Sequence, residues 1–331
     1  MKVKGFGRGL RMACLALALA AACLLSGCAR TDRAGSDAIV VGFSQLGAES
    51  SWRIGNTASI EQAAQAHGFG LMRENANQKQ EKQISAIRSF ISYRVDVIVF
   101  SPIVETGWTN VLNEARDAGI PVIIMDRMID TEDDGLYTVY IGADFLEEGR
   151  KAGEYLLKKA DAAKAEHMNI VEITGTVDST PMHDRQAGFM QVIGDDPRFT
   201  VLESISGDFL RSKGEECMRY LLDKYGAEGI DVVFSHNDAM TLGALDVLEA
   251  AGVAPGKDIV LISVDGEQAA VDALREGRIN CIVECTPHLG EAVMSLVEDL
   301  VKGREIPKTT YPEETVFTEF DDLTGLAPRG Y

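Results

Sequence analysis

Short apolar runs rich in Val and Ile recur along this chain, at 39–43, 97–101, 122–125, 139–142, 169–174, 200–205, 232–235, 259–264 and 281–284. Within each run the apolar residues are nearly continuous and do not alternate with polar ones. A strand with that pattern is buried on both faces, as in a parallel sheet covered by helices on either side. The intervals can supply those helices. Ile84, Ile87 and Ile91 fall three and four apart within 79–93, and Met240, Leu242, Ala244, Leu245, Leu248 and Ala251 make an apolar face within 237–251. Strand–helix alternation of this kind implies an α/β fold of doubly wound parallel sheets with right-handed crossovers. About 290 residues follow position 38, more than one core holds, which argues for two domains.

The βα series runs twice, over 39–125 and over 169–264. Ile141-Gly142-Ala143-Asp144 reads as one crossing between the halves, Thr286-Pro287 as a second and Ile306-Pro307 as a third. The predicted organisation is an N-terminal lobe of 39–144 with 287–306, and a C-terminal lobe of 145–286 with 307–331. A multi-strand hinge joins them.

Five of the runs end at polar residues. The run 40–45 leads into Glu49, Trp52 and Arg53; 122–125 stops at Asp126-Arg127; 170–174 opens a loop that reaches Asp184-Arg185; 232–235 stops at His236-Asn237-Asp238; 259–264 stops at Asp265-Gly266. Ligands of open α/β sheets bind outside the carboxyl ends of the strands. The recurrence therefore suggests one site assembled from separate segments. A carboxylate accepts hydrogen bonds and a guanidinium donates several in a fixed fork, so Asp126 beside Arg127 suits vicinal hydroxyls. A surface ion pair explains the same two residues. Arg185 opens a helix whose dipole opposes a cation, so it either serves a ligand or is simply solvated. Asn237 stands where an N-cap stands, and Asp265-Gly266 would also make a plain turn. Trp52 and Phe209 lie in polar, small-residue segments and suit the apolar C–H face of a sugar, although ordinary packing explains most aromatics.

The first residues belong to targeting rather than fold. Lys2, Lys4, Arg8 and Arg11 form a positive leader, and 12–25 are almost entirely apolar but short for a membrane span. Leu25-Ser26-Gly27-Cys28 resembles a bacterial lipobox, in which Cys28 is lipidated; an ordinary cleaved signal with an incidental cysteine is the alternative. Residues 29–37 are small and polar, as a tether is. The chain carries a formal charge of −19, and the leader holds only positive side chains, so the remainder is more acidic still. That disfavours nucleic acid as a partner. Cys281 and Cys285 would stand about 13 Å apart on a strand, beyond disulfide reach, and neither the cysteines nor the five histidines show a metal-ligand spacing.

Taken together, several segments resemble the type I periplasmic sugar-binding proteins of ABC importers, the ribose/galactose-binding group, and within it the galactofuranose-binding branch. They are Gly42-Phe43-Ser44-Gln45, Glu49-Ser50-Ser51-Trp52-Arg53, Asp126-Arg127-Met128-Ile129-Asp130, Gly175-Thr176-Val177, Asp184-Arg185 with Gly188-Phe189, Ser206-Gly207-Asp208-Phe209 with Arg211-Ser212-Lys213-Gly214, His236-Asn237-Asp238 and Asp265-Gly266. The resemblance implies that Glu49, Arg53, Asp126 and Arg127 reach a ligand from the N-terminal lobe, and Arg185, Asn237 and Asp265 from the C-terminal lobe. Trp52 and Phe209 would flank the sugar ring from opposite lobes. It further implies a monomer that needs no cofactor and no catalytic residue. The ligand would be a monosaccharide, galactofuranose or a related furanose or pentose, delivered to ABC permease subunits from a lipid anchor in the membrane. Presentation to a chemoreceptor or sensor kinase is the alternative on the same fold. One loop departs from the pattern. Asp178 and His183 are ionisable where small or apolar residues are expected, which bears on the hydroxyls being read. As an enzyme the chain lacks a nucleophile elbow or phosphate loop.

Overall fold

A computed structural model describes residues 38–331. The leader, the tether to residue 37 and Cys28 lie outside the described residues. In the N-terminal lobe, β1 (Val40–Gln45), β2 (Gly70–Asn75), β3 (Val97–Phe100), β4 (Val122–Met125) and β5 (Val139–Ile141) alternate with α1 (Ser51–Ala66), α2 (Gln80–Tyr93) and α3 (Thr109–Asp117). In the C-terminal lobe, α4 (Phe145–Ala163), β6 (Met168–Thr174), α5 (Thr180–Ile193), β7 (Phe199–Ser206), α6 (Arg211–Tyr225), β8 (Val232–Ser235), α7 (Asp238–Ala250), β9 (Val260–Asp265), α8 (Gln268–Arg275) and β10 (Cys281–Glu284) follow. Then α9 (Gly290–Val301) and β11 (Thr309–Thr310) return to the first lobe, and β12 (Val316–Thr318) to the second. The sheets run β11-β5-β4-β3-β1-β2 and β12-β10-β9-β8-β6-β7. Every pairing is parallel except β12 with β10.

The continuous apolar runs have the expected cause. In the N-terminal sheet Phe43, Val97, Val99, Ile123 and Met125 pack with Ile60 of α1 and Val293 and Val297 of α9. Their strand neighbours Ile98, Phe100, Val122 and Ile124 pack on the other face with Ile87 and Phe90 of α2 and Leu112 of α3. The C-terminal sheet is covered in the same way, by α4 and α5 on one face and by α6, α7 and α8 on the other.

Three strands escaped the apolar-run pattern. β2 is Gly-Leu-Met-Arg-Glu-Asn, an edge strand paired only with β1 and never fully buried, so it has no apolar run to read. β11 and β12 are two and three residues long. β11 also moves the third crossing. The strand pairs with β5 in the N-terminal sheet, so the chain crosses between Thr310 and Val316 rather than at Ile306-Pro307.

Helices α4 and α5 approach at backbone distance. A side-chain carbon at Gly149 would stand 2.1 Å from the Arg185 carbonyl oxygen, and one at Gly188 would stand 2.0 Å from that of Leu146. Two glycines facing opposite ways let these backbones touch, which brings the first turn of α4 beside Arg185.

Candidate functional site

One cavity lies between the lobes at the carboxyl ends of both sheets. All nine residues expected from sequence line it: Glu49, Trp52, Arg53, Asp126 and Arg127 from one lobe, and Arg185, Phe209, Asn237 and Asp265 from the other. Even counting its open mouth it encloses about 330 Å3. A single small solute fits; a polymer does not.

On the N-terminal side the charges form a chain rather than neighbouring pairs. Arg53 Nη1 lies 2.7 Å from Asp126 Oδ2, and its Nε donates to Glu49 Oε1 at 3.1 Å. Ser101 Oγ donates to the same Asp126 oxygen at 2.9 Å. Burial works against the Arg53 charge, but Asp126 and Glu49 outweigh it and raise its pKa. Asp126 and its sequence neighbour Arg127 do not pair with each other. Arg127 is 2 % exposed and donates from Nη1 to the Ile103 carbonyl at 2.8 Å. Its guanidinium stands 5.1 Å from the Phe209 ring centre, a contact between the lobes. Burial, with repulsion from Arg53, pushes the Arg127 pKa down to about 10. Two buried atoms here lack any protein partner, Glu49 Oε2 as acceptor and Arg127 Nε as donor. Buried polar atoms are rarely left unmade, because each costs about 1–3 kcal/mol. An acceptor and a donor left open on cavity-lining residues suit a hydroxylated ligand.

On the C-terminal side Arg185 is anchored in two directions. Its Nε donates to Glu148 Oε2 at 2.7 Å and its Nη1 to the His236 carbonyl at 2.6 Å. Burial opposes the charge, yet the Glu148 carboxylate holds the Arg185 pKa above its ordinary value. Glu148 was not legible as a site residue, because it sits inside a helix 37 positions earlier. Asn237 caps α7 by accepting from Met240 N at 3.0 Å, and its amide also donates to the Phe209 carbonyl at 3.4 Å. Asp238 ties down the next strand's exit, accepting from Gly266 N at 2.6 Å and from Glu267 N at 2.7 Å. That loop carries Asp265, whose carboxyl is pushed well up by burial and by Asp238, against a smaller pull from Arg185.

The backbone is strained where the site needs it. Asp126 (φ 65°), Phe209 (φ 61°) and Asp265 (φ 120°) all lie at positive φ without being glycine. Such conformations cost about 1–3 kcal/mol each and gather at functional sites. Tyr140 Oη holds the strained turn at Asp126 by donating to its carbonyl at 2.6 Å. Gly175 makes room for Phe209, since a side-chain carbon there would stand 1.8 Å from the ring.

Residues 41–305 match the family described as periplasmic binding protein domain. The galactofuranose-binding protein of Escherichia coli strain K12 is 38 % identical over 298 residues, covering 88 % of this chain and 93 % of that one. A Mycobacterium smegmatis protein solved in complex with β-D-fucofuranose superposes with a TM-score of 0.83 at 45 % identity, over 86 % of this chain and 92 % of that one. The periplasmic binding protein of an arabinose ABC transporter from Shewanella sp. ANA-3, bound to α- and β-L-arabinofuranose, gives 0.81 at 42 %, over 85 % and 92 %. The chain belongs to the periplasmic binding protein family. Within the family it falls in the type I sugar-binding group, whose members bind solutes and are not enzymes.

Four more side chains of this binding protein line the cavity: Ser50, Phe145, Pro181 and Cys285. Phe145 and Cys285 sit at crossings between the lobes, where a sequence gives no strand end to point at them. Trp52 donates from Nε1 to the Cys285 carbonyl at 2.7 Å, which ties the first helix to the second crossing. The unusual loop lies elsewhere than its ionisable residues suggest. Asp178 and His183 do not line the cavity. Glu105 N donates to the Asp178 carbonyl at 3.0 Å, and the Glu105 carboxylate meets His183 Nδ1 at 3.0 Å. Both contacts join the lobes, so the departure bears on closure rather than on hydroxyl recognition. Cys217, Cys281 and Cys285 are buried free thiols.

Glu148, Cys285 and Glu314 come close enough to meet around one ion, the one such grouping among the described residues. The Arg185 guanidinium already occupies Glu148 there, and its positive charge opposes a second cation.

Proposed function

We propose that this protein is an extracytoplasmic lipoprotein that captures one furanose monosaccharide between its lobes and hands it to an ABC sugar importer. The observation that carries this reading is the convergence of nine residues from both lobes on one small cavity, with Glu49 Oε2 and Arg127 Nε left without protein partners. A relative named for galactofuranose, and others solved with fucofuranose and arabinofuranose bound, support a five-membered ring. Alternating carboxylates and guanidiniums can meet each hydroxyl with a charged partner, which makes stronger hydrogen bonds than a neutral one. Guanidiniums and carboxylates offset one another in the site, so closing the lobes buries little net charge. In this reading Cys28 carries the lipid, residues 29–37 are the tether, and the protein works as a monomer.

Calorimetry of residues 29–331 with galactofuranose, ribose, arabinose, galactose and glucose tests the sugar. Micromolar or tighter binding of a furanose is expected, and no heat with any of the five rejects the reading. In cells, Cys28→Ala should move the protein from the membrane to the soluble fraction.

A further inference from the structure

The three chain crossings meet in one buried cluster behind the cavity. Glu148 lies in the first turn of α4, just past the crossing at 142–144; Cys285 lies on the second crossing and Glu314 on the third. One carboxylate oxygen from each glutamate and the Cys285 sulfur lie within 4.8 Å of one another. Glu148 and Cys285 are buried and Glu314 is partly so. Glu148 gives Oε2 to Arg185, but its Oε1 is buried and makes no hydrogen bond of normal geometry. The nearby Cys285 thiol is a weak donor. Glu314 Oε1 accepts from Thr286 N at 2.8 Å, which fixes its carboxyl beside the cluster.

We infer that Glu314 carries a proton shared with Glu148, and that the protonated pair positions Arg185 in the cavity when the lobes close. Two carboxylates within 4.8 Å of one another repel, which favours a proton on one of them, and a protonated carboxyl supplies the donor that Glu148 Oε1 lacks. Charges then balance: Arg185 offsets Glu148, while Glu314 and Cys285 are neutral. The groups facing the pair act in both directions. Asp265 on the far side acts on the Cys285 thiol and helps burial keep it neutral, while Glu284, itself held by Arg329, favours the proton. Arg185 and Lys151 oppose it; Lys151 donates to the Glu314 carbonyl at 3.2 Å. Tyr140, whose hydroxyl is held by the Asp126 carbonyl, adds no charge. Burial leads the balance, with Glu148 next, and pushes the Glu314 pKa up to about 9.

Because each member sits on or beside a different crossing, opening the hinge separates them and returns Glu314 to water. Closure therefore takes up a proton between the ordinary glutamate value of 4.5 and about 9. Affinity should fall as pH rises through that window, by up to about tenfold per pH unit. This rests on the sugar reading above, so the test has one arm without sugar. In that arm, the infrared difference between wild type and Glu314→Gln at pH 7 should show a buried protonated carboxyl from the molecules whose lobes close without sugar, lost towards pH 9. Glu148→Gln should move that loss to lower pH. In the other arm, calorimetry with galactofuranose in buffers of different ionisation heat should show proton uptake, and Glu314→Gln should flatten the pH slope. A wild type without the carboxyl band, or a Glu314→Gln variant with an unchanged slope, overturns the inference. A band without any sugar binding counts against the sugar reading and leaves the shared proton standing.

Discussion

At the scale of single residues, the site is built from charges that could be stable only together. Arg53 takes Glu49 and Asp126, while Arg185 takes Glu148 and the His236 carbonyl. Arg127 is the exception, with an open Nε, a depressed pKa and the Phe209 ring as its neighbour from the other lobe. We therefore expect a ligand to complete Arg127 Nε, together with Glu49 Oε2. Losing a hydrogen bond to a charged group costs about 1.5–3 kcal/mol, and Arg127 can make more than one. Arg127→Ala should weaken sugar binding at least about tenfold and Asp265→Ala similarly, with circular dichroism melts showing a folded protein. If calorimetry finds both variants binding normally, the ligand sits elsewhere. At this scale the sequence was most readable. Seven polar residues expected after buried strands, with the aromatics Trp52 and Phe209, all line the cavity. Glu148 was unreadable by contrast: inside an amphipathic helix, a glutamate looks like solvent-facing surface.

At the scale of elements, precision comes from backbone contact. The α4–α5 pair meets through Gly149 and Gly188, and this contact sets Glu148 against Arg185. A methyl group at Gly149 would stand 2.1 Å from a backbone carbonyl that cannot swing aside. Overpacking of this kind costs about 1–3 kcal/mol. Gly149→Ala should lower the melting temperature by several degrees and weaken binding as well, although residue 149 never reaches the cavity. Loss of stability with affinity untouched would show that the helix spacing does not position Arg185. Loops between elements are tied in a similar way. Asp238 opens α7 but bonds to the loop after β9, so the fourth and fifth strand ends are placed by one another. Sequence spacing showed an N-cap at 237 and could not show that its neighbour serves the next strand.

At the scale of the whole molecule, two lobes close over buried carboxyls, and this should be visible in stability against pH. Glu314 is raised to about 9, and Asp238 and Asp265 are pushed upward too, by burial first and by neighbouring acids next. A folded pKa above the unfolded one contributes stability that is present in acid and is lost as pH rises. Glu172, lowered by His236 against the cost of burial, works the other way and loses its contribution in acid. The sugar-free protein should therefore melt highest at mildly acidic pH and lose stability steadily towards pH 9. Calorimetric melts that stay level from pH 5 to pH 9 would contradict this. The sequence by itself determined the parallel α/β architecture, the division into two lobes and nine of the residues that line the cavity. Burial on both faces of a sheet and the end of a strand each leave a local mark in the order of residues. Only the tertiary structure decided which charges pair, where the third crossing falls, that Asp178 and His183 join the lobes, and that three crossings gather two glutamates and a thiol behind Arg185. Most of those partners stand far apart in the chain: Arg185 and Glu148 by 37 positions, and Glu148 and Glu314 by 166. Contacts across such distances depend on how helices and hinge pack, and no local pattern encodes them.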